Sequence, residues 1–544
     1  MSKMPKKISV LDSTLRDGTQ GRGVSFSVSD KLKIVKALDK QGVSFIEVGN
    51  PFSNPKDREV IEKTRDMELK NAVIASFGST RKKNRRAEED EGLRALVESK
   101  TSVVSIFGKS SLKHVETVLE TTAEENLAMI RESVSYLKGW GIRVFFDAEH
   151  FFDGFRDDPE YAMNTLRTAV EAGAECLVLC DTNGGSYVTD IYSATAKVVA
   201  AFPDTTVGIH AHNDMGLAVI NTMMGVEAGA GHIQGTFLGI GERAGNANLS
   251  TVIANLQLKR GVNCIPDECM DRLTKTAHTV ADAANKVISS NMPYVGSGAF
   301  AHKGGMHVDA VVKDSTTFEH ISPDVVGNTR HLVASEVAGA STLLPRLHRY
   351  DPTLTKESEA TKKVVERLKS LEYRGYQFEA AEESLELVIR RVLGVDRQFF
   401  TLEHFKIIGE QPLFTGDYPS TAMIKVRVGE SSEVSAAEGD GPVNALDLAL
   451  RKALVRFYPS LSEVTLADFK VRVLESDATT AATVRVLIES TDGEHSWTTE
   501  GVSTDIIEAS FLALSDSIEF KLTMDITDME PRGTGDKIPD MEEV

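Results

Sequence analysis

The sequence lacks three features that would mark particular classes of protein. It has only four cysteines among 544 residues, without zinc-finger spacing, and these are too few to cross-link a chain of this length. No apolar run is long enough to cross a bilayer, and the first residues form no apolar signal segment. We therefore expect a cytoplasmic protein with reduced, mostly buried thiols and no membrane partner.

Basic residues are also in deficit. Lys and Arg total 61 against 80 Asp and Glu, which gives a formal net charge of -19. Because nucleic-acid binding depends on Lys and Arg that neutralise phosphates, we expect no nucleic-acid partner. One basic cluster contains Arg81, Lys82, Lys83, Arg85 and Arg86. It could attract the phosphates of a cofactor such as CoA, but a solvated helix start is the preferred interpretation.

The first half of the chain repeats one pattern: a short apolar run, a polar or glycine-containing loop and an amphipathic helical segment. The runs occupy residues 8–11, 45–48, 72–77, 102–107, 143–146, 176–180, 207–209 and 233–238. Eight alternations favour a closed (β/α)8 TIM barrel over an open sheet, and no phosphate-binding glycine fingerprint follows the first run.

One of the helical segments carries end signals. In SDKLKIVKALDKQG, Ser29 or Asp30 is a candidate for the cap that begins the helix, and Gly42 for the residue that ends it.

The pattern of apolar and polar residues changes after about residue 270. We therefore predict an α/β barrel followed by smaller parts. Residues 1–270 form the barrel, 271–375 a mainly helical linker with glycine-rich loops, 376–525 an α+β domain and 526–544 a flexible acidic tail. Within the α+β domain, EGDGPVNALDLALRKAL resembles TTEGVSTDIIEASFLAL, which predicts an internal β-β-β-α duplication.

Unusual polar residues gather at the carboxyl ends of the runs, and in a barrel these ends share the face where active sites are built. His210 and His212 are two residues apart, so their imidazoles point to the same side of a strand. Together with Asp17 they predict a three-ligand metal site with open positions. This donor set accommodates zinc, manganese, cobalt or, with waters, magnesium.

Three further polar residues, Arg16, Glu149 and Thr182, have two interpretations each. Arg16 is suited to stabilise a developing oxyanion, and it is also a natural ion-pair partner for the buried Glu47. Glu149 could act as a general base or orient a metal-bound histidine, with no preference between the two. Thr182 could bind a substrate carboxylate or cap the following helix.

Three motifs, in this order, resemble those of one family. TLRDGTQ, GIHAHND and LGIGERAGNANL are similar to signatures of the 2-isopropylmalate, homocitrate and citramalate synthases of the DRE-TIM metallolyase superfamily, and EGDGPVNALDLAL is similar to their carboxyl-terminal regulatory domain. The resemblance spans nearly the whole chain. It implies an acyltransferase that condenses acetyl-CoA with a small 2-oxo acid, using a divalent metal.

The resemblance also implies roles for individual residues. The metal ligands would be Asp17, His210, His212 and Asn246. The catalytic residues would be Arg16, Glu47, Glu149 and His307, where His307 belongs to the linker. The 2-oxo acid would contact Arg16, Thr182 and Asp147, and acetyl-CoA would contact Gly241, Glu242, Arg243 and Asn248. Packing at a helix start is the alternative reading of the last segment.

Several segments, among them GRGVSFSVSDKL and FDAEHFFDGF, are most similar to the citramalate synthases, which implies pyruvate as the acceptor and a place in isoleucine biosynthesis. Phe52, in GNPFSNPKD, is a candidate to fill pocket space and favour a small acceptor. The resemblance further implies a homodimer whose carboxyl-terminal domain senses isoleucine. Alternatives are 2-isopropylmalate, homocitrate or Re-type citrate synthase, an acyl-CoA lyase of the same superfamily, and a noncatalytic amino-acid sensor.

Overall fold

The computed structural model describes residues 4–302, 305–332, 340–409, 420–474, 482–493 and 495–529. The chain forms two compact units. The first contains Met1–Ala301 and Glu319–His331, and the second contains His302–Phe318 and Leu332–Val544. The predicted linker, 271–375, is therefore divided between the two units.

Eight parallel strands in the first unit close into a barrel in sequence order, which confirms the predicted TIM barrel. The closing pair is β1 with β8, in which Leu11 lies opposite Gln234. The strands are β1 (Ser9–Asp12), β2 (Phe45–Glu47), β3 (Val73–Ser79), β4 (Val103–Lys109), β5 (Arg143–Glu149), β6 (Cys176–Asp181), β7 (Thr206–Ala211) and β8 (His232–Gly235).

Several strands end later than the apolar runs that predicted them. β5 continues to Glu149, β6 to Asp181 and β7 to Ala211. Each barrel strand pairs on both sides, so a polar residue at its carboxyl end keeps its ladder hydrogen bonds while its side chain faces the barrel mouth. Glu149, Asp181 and His210 thus stand on strand backbone, whereas Arg16, Asp17, Thr182 and His212 follow the strand ends.

Helices cover the outside of the barrel and bury apolar side chains against the strands. They are α1 (Val28–Gln41), α2 (Pro55–Thr64), α3 (Glu91–Glu98), α4 (Leu112–Thr117), α5 (Ala123–Gly139), α6 (Phe151–Asp157), α7 (Pro159–Glu171), α8 (Val188–Ala201), α9 (Ala218–Glu227), α10 (Leu249–Ala254) and α11 (Leu273–Ala283).

The ends of α1 correct one prediction and confirm another. Its cap is Ser27, not Ser29 or Asp30, because Ser27 and Asp30 form a reciprocal capping box that satisfies two backbone N–H groups. Gly42 ends the helix as predicted, in a left-handed conformation with φ 89°.

The second unit begins with helices and continues into two sheets. Two short strands, β9 (Ala301–His302) and β10 (His331–Leu332), lie where the chain passes between the units. The helices that follow the barrel are α12 (Gly305–Lys313), α13 (Ala340–Leu347), α14 (Glu359–Tyr373) and α15 (Glu382–Leu393), and α13, α14 and α15 share an apolar core.

The predicted duplication is present in the second unit. The first repeat is β11 (Thr401–Gly409), β12 (Ser420–Val428), β13 (Ser431–Gly439) and α16 (Pro442–Leu454). The second repeat is β14 (Thr465–Val473), β15 (Val484–Thr491), β16 (Ser496–Ser503) and α17 (Ile506–Met529). Each repeat has a three-stranded antiparallel sheet. Because α17 runs to Met529, it overlaps the start of the predicted tail, whose residues 530–544 lie outside the described part of the chain.

The four cysteines agree with the expectation of reduced, mostly buried thiols. Cys176, Cys180, Cys264 and Cys269 are all buried and unpaired. Among the helices that the structure describes, none has the length and apolar character needed to span a membrane.

Candidate active site

Three of the predicted metal ligands meet at the carboxyl end of the barrel. Nε2 of His210 lies 3.2 Å from Oδ2 of Asp17, and Nε2 of His212 lies 3.9 Å from the same oxygen. One ligand atom from each residue lies within 4.8 Å of the others. Donors that share a tetrahedral ion are separated by about 3 to 3.5 Å, because each metal–ligand bond is about 2.0 to 2.1 Å long. The cluster could therefore close on one ion with small movements.

Two members of the cluster, His212 and Asp17, have the protonation states that suit a cation. Burial lowers the pKa of His212 to about 4, with the neighbouring His210 as the second cause, so this imidazole is neutral at physiological pH. Burial alone would raise the pKa of Asp17, but Arg16 and the two imidazoles outweigh it and hold this pKa well below its usual range. A neutral imidazole and an ionised carboxylate are the forms that ligate metals.

Arg16 is fixed beside this cluster by contacts on several sides. Its Nε donates to Oε2 of Glu47 at 2.7 Å, so the predicted ion pair is present, and its guanidinium lies 3.8 Å from the ring centroid of Phe77. Ser13 donates a second hydrogen bond to the same Glu47 oxygen at 2.7 Å. Nη1 of Arg16 is 3.4 Å from Oδ2 of Asp17. The planar cation is thus held at the edge of the ligand cluster.

Asn246 touches the cluster through its amide nitrogen. Nδ2 donates to Oδ2 of Asp17 at 2.9 Å, and the buried Oδ1 has no hydrogen-bond partner among the described residues. A Cβ added to Gly241 would lie 2.7 Å from this oxygen, so the glycine leaves room for the amide. To ligate an ion beside Asp17 through oxygen, the side-chain amide of Asn246 would have to rotate by half a turn, so that Oδ1 takes the place of Nδ2.

Gln234 is a site residue that the sequence reasoning missed. It is fully buried on β8, and its Oε1 lies 2.9 Å from Nδ1 of His210. Its Nε2 donates to Oδ1 of Asp147 at 3.2 Å. The available signal was a lone amide inside the apolar run 233–238, where an unpaired polar group would be costly.

A cavity of about 210 Å³ opens above the cluster. Its walls include nine of the predicted site residues: Arg16, Asp17, Asp147, Glu149, Thr182, His210, His212, Glu242 and Arg243. The rings of Phe77 and Phe107, stacked with centroids 5.5 Å apart, also border it. Phe52 does not line it and is 44% exposed, so Phe77 and Phe107, not Phe52, narrow the space.

The sequence of this chain matches three known protein families. Residues 7–280 match the HMGL-like family, 294–375 the homocitrate synthase post-HMGL domain-like family and 379–522 the LeuA allosteric (dimerisation) domain. The chain belongs to the HMGL-like family.

Relatives of this HMGL-like chain match it over almost its full length. The (R)-citramalate synthase of Aquifex aeolicus is 48% identical and covers 96% of this chain and 99% of its own. That of Synechocystis sp. is 45% identical over 94% of this chain and 96% of its own. The probable 2-isopropylmalate synthase of Methanopyrus kandleri is less similar, at 32% identity over 94% and 97%.

Glu149, the last residue of β5, and Thr182, which directly follows β6, both line the cavity. Oγ1 of Thr182 accepts from the backbone N–H of His150 at 2.8 Å. Thr182 does not cap α8, whose cap position is Tyr187. The Glu149 carboxylate pairs with Lys109. No described contact joins Glu149 to His210 or His212, and the residue bonded to His210 is Gln234.

The loop after β8 of the HMGL-like barrel has mixed roles. Arg243 forms an ion pair with Asp214 at 2.8 Å and donates to the Thr182 carbonyl at 2.7 Å. Asn248 caps α10 through a bond from Ser250 N, the packing role weighed for this segment. Glu242 is exposed at the cavity rim.

His307 belongs to the second unit of the HMGL-like chain. It is exposed on α12, and its ring stacks on Phe318 with centroids 4.2 Å apart.

A second cavity, of about 510 Å³, lies beside the first, and Phe107 borders both. Its walls combine apolar side chains, such as Val118 and Met129, with Arg81, Lys82, Lys83 and Arg85. The basic cluster follows β3 and ends at Arg86, the cap position of the short 3-10 helix Ala87–Glu89. Arg81 is buried and paired with Glu125 and Glu132, each at 2.7 Å, whereas the other basic residues are exposed.

Proposed function

We propose that the protein is an (R)-citramalate synthase, which joins acetyl-CoA, pyruvate and water to give citramalate and CoA. The observation that carries the proposal is the juxtaposition of Arg16 with the Asp17, His210 and His212 cluster on the floor of a small cavity. The identity of 43 to 48% with five (R)-citramalate synthases over nearly the whole chain supports the same acceptor.

The proposed cofactor is one divalent cation, magnesium, manganese, zinc or cobalt, held by Asp17, His210 and His212 with Asn246 as a further ligand. The buried Oδ1 of Asn246 has no hydrogen-bond partner among the described residues, which supports a polar group beyond the protein at this place. When bound, such an ion acts as a Lewis acid toward the oxygens of a 2-oxo acid.

The side chains around the cluster would bind and polarise the acceptor. The Arg16 guanidinium, held by Glu47, would donate to the keto oxygen and stabilise the alkoxide that forms there. The Thr182 hydroxyl accepts from His150, so its own proton is available for the acceptor's carboxylate. Asp147 would contact the acceptor from the β5 side.

The reaction needs a base and a water. The base removes a proton from the methyl group of acetyl-CoA, and the resulting enolate carbon forms a bond to the keto carbon of pyruvate, whose oxygen becomes an alkoxide and then a hydroxyl. Water then cleaves the thioester, which releases CoA and leaves the second carboxylate of citramalate. Glu149 at the cavity, His307 on α12 and a bound water remain the three candidates for the base.

The size of the cavity supports a small acceptor. Phe77 and Phe107 line the cavity, and the ring of Phe77 lies against the guanidinium of Arg16, which would contact the acceptor. Each additional methylene group on a substrate changes its binding free energy in an apolar pocket by about 1 to 3 kcal/mol. Pyruvate, with only a methyl group beyond its keto carbon, demands the least space.

Acetyl-CoA would enter along the second cavity. Lys82, Lys83 and Arg85 are exposed cations that suit the phosphates of CoA, and the apolar wall suits its pantetheine arm. Phe107 borders both cavities, so a thioester extended past it would reach the metal cluster. Gly241, Glu242, Arg243 and Asn248 remain the proposed contacts at the thioester end.

The second unit would supply regulation and assembly. Residues 379–522 of this unit match the LeuA allosteric (dimerisation) domain. The sheets also expose apolar side chains such as Val434, Val471 and Val473. Exposed apolar side chains of this kind are typical of subunit contacts. We propose a homodimer that serves isoleucine biosynthesis and is inhibited by isoleucine. Light scattering measures the oligomer, and equal CoA release with and without isoleucine would contradict the inhibition.

The proposed activity is tested by CoA release from acetyl-CoA with Mn²⁺ or Mg²⁺, with EDTA as the control. Pyruvate, 2-oxoisovalerate, 2-oxoglutarate and oxaloacetate are compared as acceptors. The expected result is metal-dependent release that is fastest with pyruvate. Preference for another acceptor would replace the citramalate assignment by one of the other synthases, and no release with any acceptor would overturn the condensation.

A further inference from the structure

Beneath the metal cluster, a chain of three side chains crosses the barrel from β5 to β7. Asp147, Gln234 and His210 are each at most 5% exposed. Gln234 stands between the other two, 3.2 Å from the carboxylate of Asp147 and 2.9 Å from Nδ1 of His210. Gln234 also lies directly opposite His210 in the ladder between β7 and β8.

The chemistry of the three groups fixes the direction of both hydrogen bonds. Nε2 of Gln234 donates to Oδ1 of Asp147. Burial raises the pKa of Asp147 to about 7, and its ionised form can only accept, so that form selects the amide NH2 of Gln234. The amide oxygen must then face His210, and an amide oxygen can only accept. Nδ1 of His210 therefore carries a proton, and in the neutral ring the free electron pair is on Nε2, the atom that faces Asp17.

We propose that Gln234 is a positioning residue that sets the tautomer and the ring orientation of His210, and that Asp147 sets the orientation of Gln234. This inference rests on the proposed metal site, because Nε2 is the atom that would ligate the ion. Partners of this kind, behind a metal-bound histidine, typically change metal affinity by about 10- to 100-fold when they are removed.

The two histidines of the cluster differ in this respect. Nδ1 of His212 is buried and has no hydrogen-bond partner in the described part of the chain. The protein thus fixes one imidazole before an ion arrives and leaves the tautomer of the other open.

The test compares Gln234→Leu with Gln234→Glu by titrating EDTA-treated protein with Mn²⁺ in a calorimeter. Leucine cannot accept the Nδ1 proton, so the dissociation constant should rise about 10- to 100-fold. Glutamate still accepts that proton, so Gln234→Glu should stay within about threefold of the wild type. Wild-type affinity in Gln234→Leu, or equal losses in the two variants, would overturn the proposal, because only the glutamate variant keeps an acceptor for Nδ1 of His210.

Two further proteins keep the result interpretable. Gln41→Leu removes another buried amide, which donates to Cys269 O at the end of α1, and should leave Mn²⁺ affinity unchanged. Asp147→Asn removes the carboxylate that selects the NH2 group of Gln234, so the dissociation constant of this variant for Mn²⁺ should also rise. The variant tests the proposal if Gln234→Leu fails to fold, and an unchanged dissociation constant would overturn the proposal. A wild-type protein that binds no Mn²⁺ would instead refute the proposed metal site.

Discussion

Two adjacent layers of the barrel interior are built on different principles. The lower layer is an apolar cluster that includes Leu11, Phe45, Val103 and Phe145. The upper layer contains charged and amide side chains. Glu47 and Asp147 lie only two residues beyond Phe45 and Phe145, which is about 6.6 Å along a strand. A single step of the strand repeat therefore separates packing from polar chemistry.

The difference between the layers lies in how each side chain is held. Phe45 and Phe145 meet edge to face with centroids 5.1 Å apart, a contact whose energy follows buried area. Glu47, fully buried, is held by directed bonds from Arg16 and Ser13. Changes in the lower layer should therefore lower stability and spare the chemistry, and changes in the upper layer should do the reverse.

The largest expected effect is in the upper layer. His212→Ala should lose metal and at least about 10³-fold in activity, because a ligand and the Lewis acid are lost together. Its melting temperature, measured without metal, should stay within a few degrees, since this neutral imidazole makes no hydrogen bond through Nδ1 to any described residue. Calorimetry measures metal binding, and CoA release measures activity. An active, metal-free His212→Ala protein would disprove the site.

Arg16→Lys separates binding of the metal from turnover. Lysine lacks the planar fork that contacts Glu47 and Asp17, so kcat should fall about 10²- to 10³-fold while metal affinity remains near that of the wild type. A variant with normal kcat would show that the charge alone is sufficient at this position.

Phe145→Ala tests the lower layer. The lost packing should reduce the free energy of unfolding by about 3 to 5 kcal/mol. Below its melting temperature the variant should retain kcat within a few-fold of the wild type. Urea unfolding and CoA release are measured on the same sample, and loss of kcat without loss of stability would break the distinction between the layers.

Phe107→Ala should change the choice of acceptor. The added space lies at the cavity wall, so the ratio of kcat/KM for 2-oxoisovalerate to that for pyruvate should rise about 10-fold or more. Phe52→Ala is the matched control, since Phe52 is exposed and away from the cavity. An unchanged ratio in Phe107→Ala would remove this ring from the account of specificity.

The smallest effect is expected at the second cavity. Replacing Lys82 and Arg85 by Ala should raise KM for acetyl-CoA about fivefold, more at low salt, and leave KM for pyruvate unchanged. Lys63→Ala is the control, because Lys63 is an exposed cation on α2 paired with Glu59. Equal KM values for acetyl-CoA in both proteins would place CoA elsewhere.

The sequence alone determined the eight-stranded barrel, the duplicated β-β-β-α domain and the convergence of Asp17, His210 and His212. These follow from local periodicity and from one global rule, that the carboxyl ends of barrel strands share a face. The pair of Arg16 with Glu47 was also predictable, because a buried carboxylate needs a partner and Arg16 was the nearest cation on that face.

Only the tertiary structure decided which side chains meet across the barrel. Phe77 and Phe107 look like ordinary core residues in their runs, and their place at the cavity depends on where β3 and β4 end. Gln234 joins His210 to Asp147 over 24 and 87 positions of sequence, a distance that no local pattern reports. Register and strand length set these contacts, because a shift of one residue would turn each side chain away from the interior.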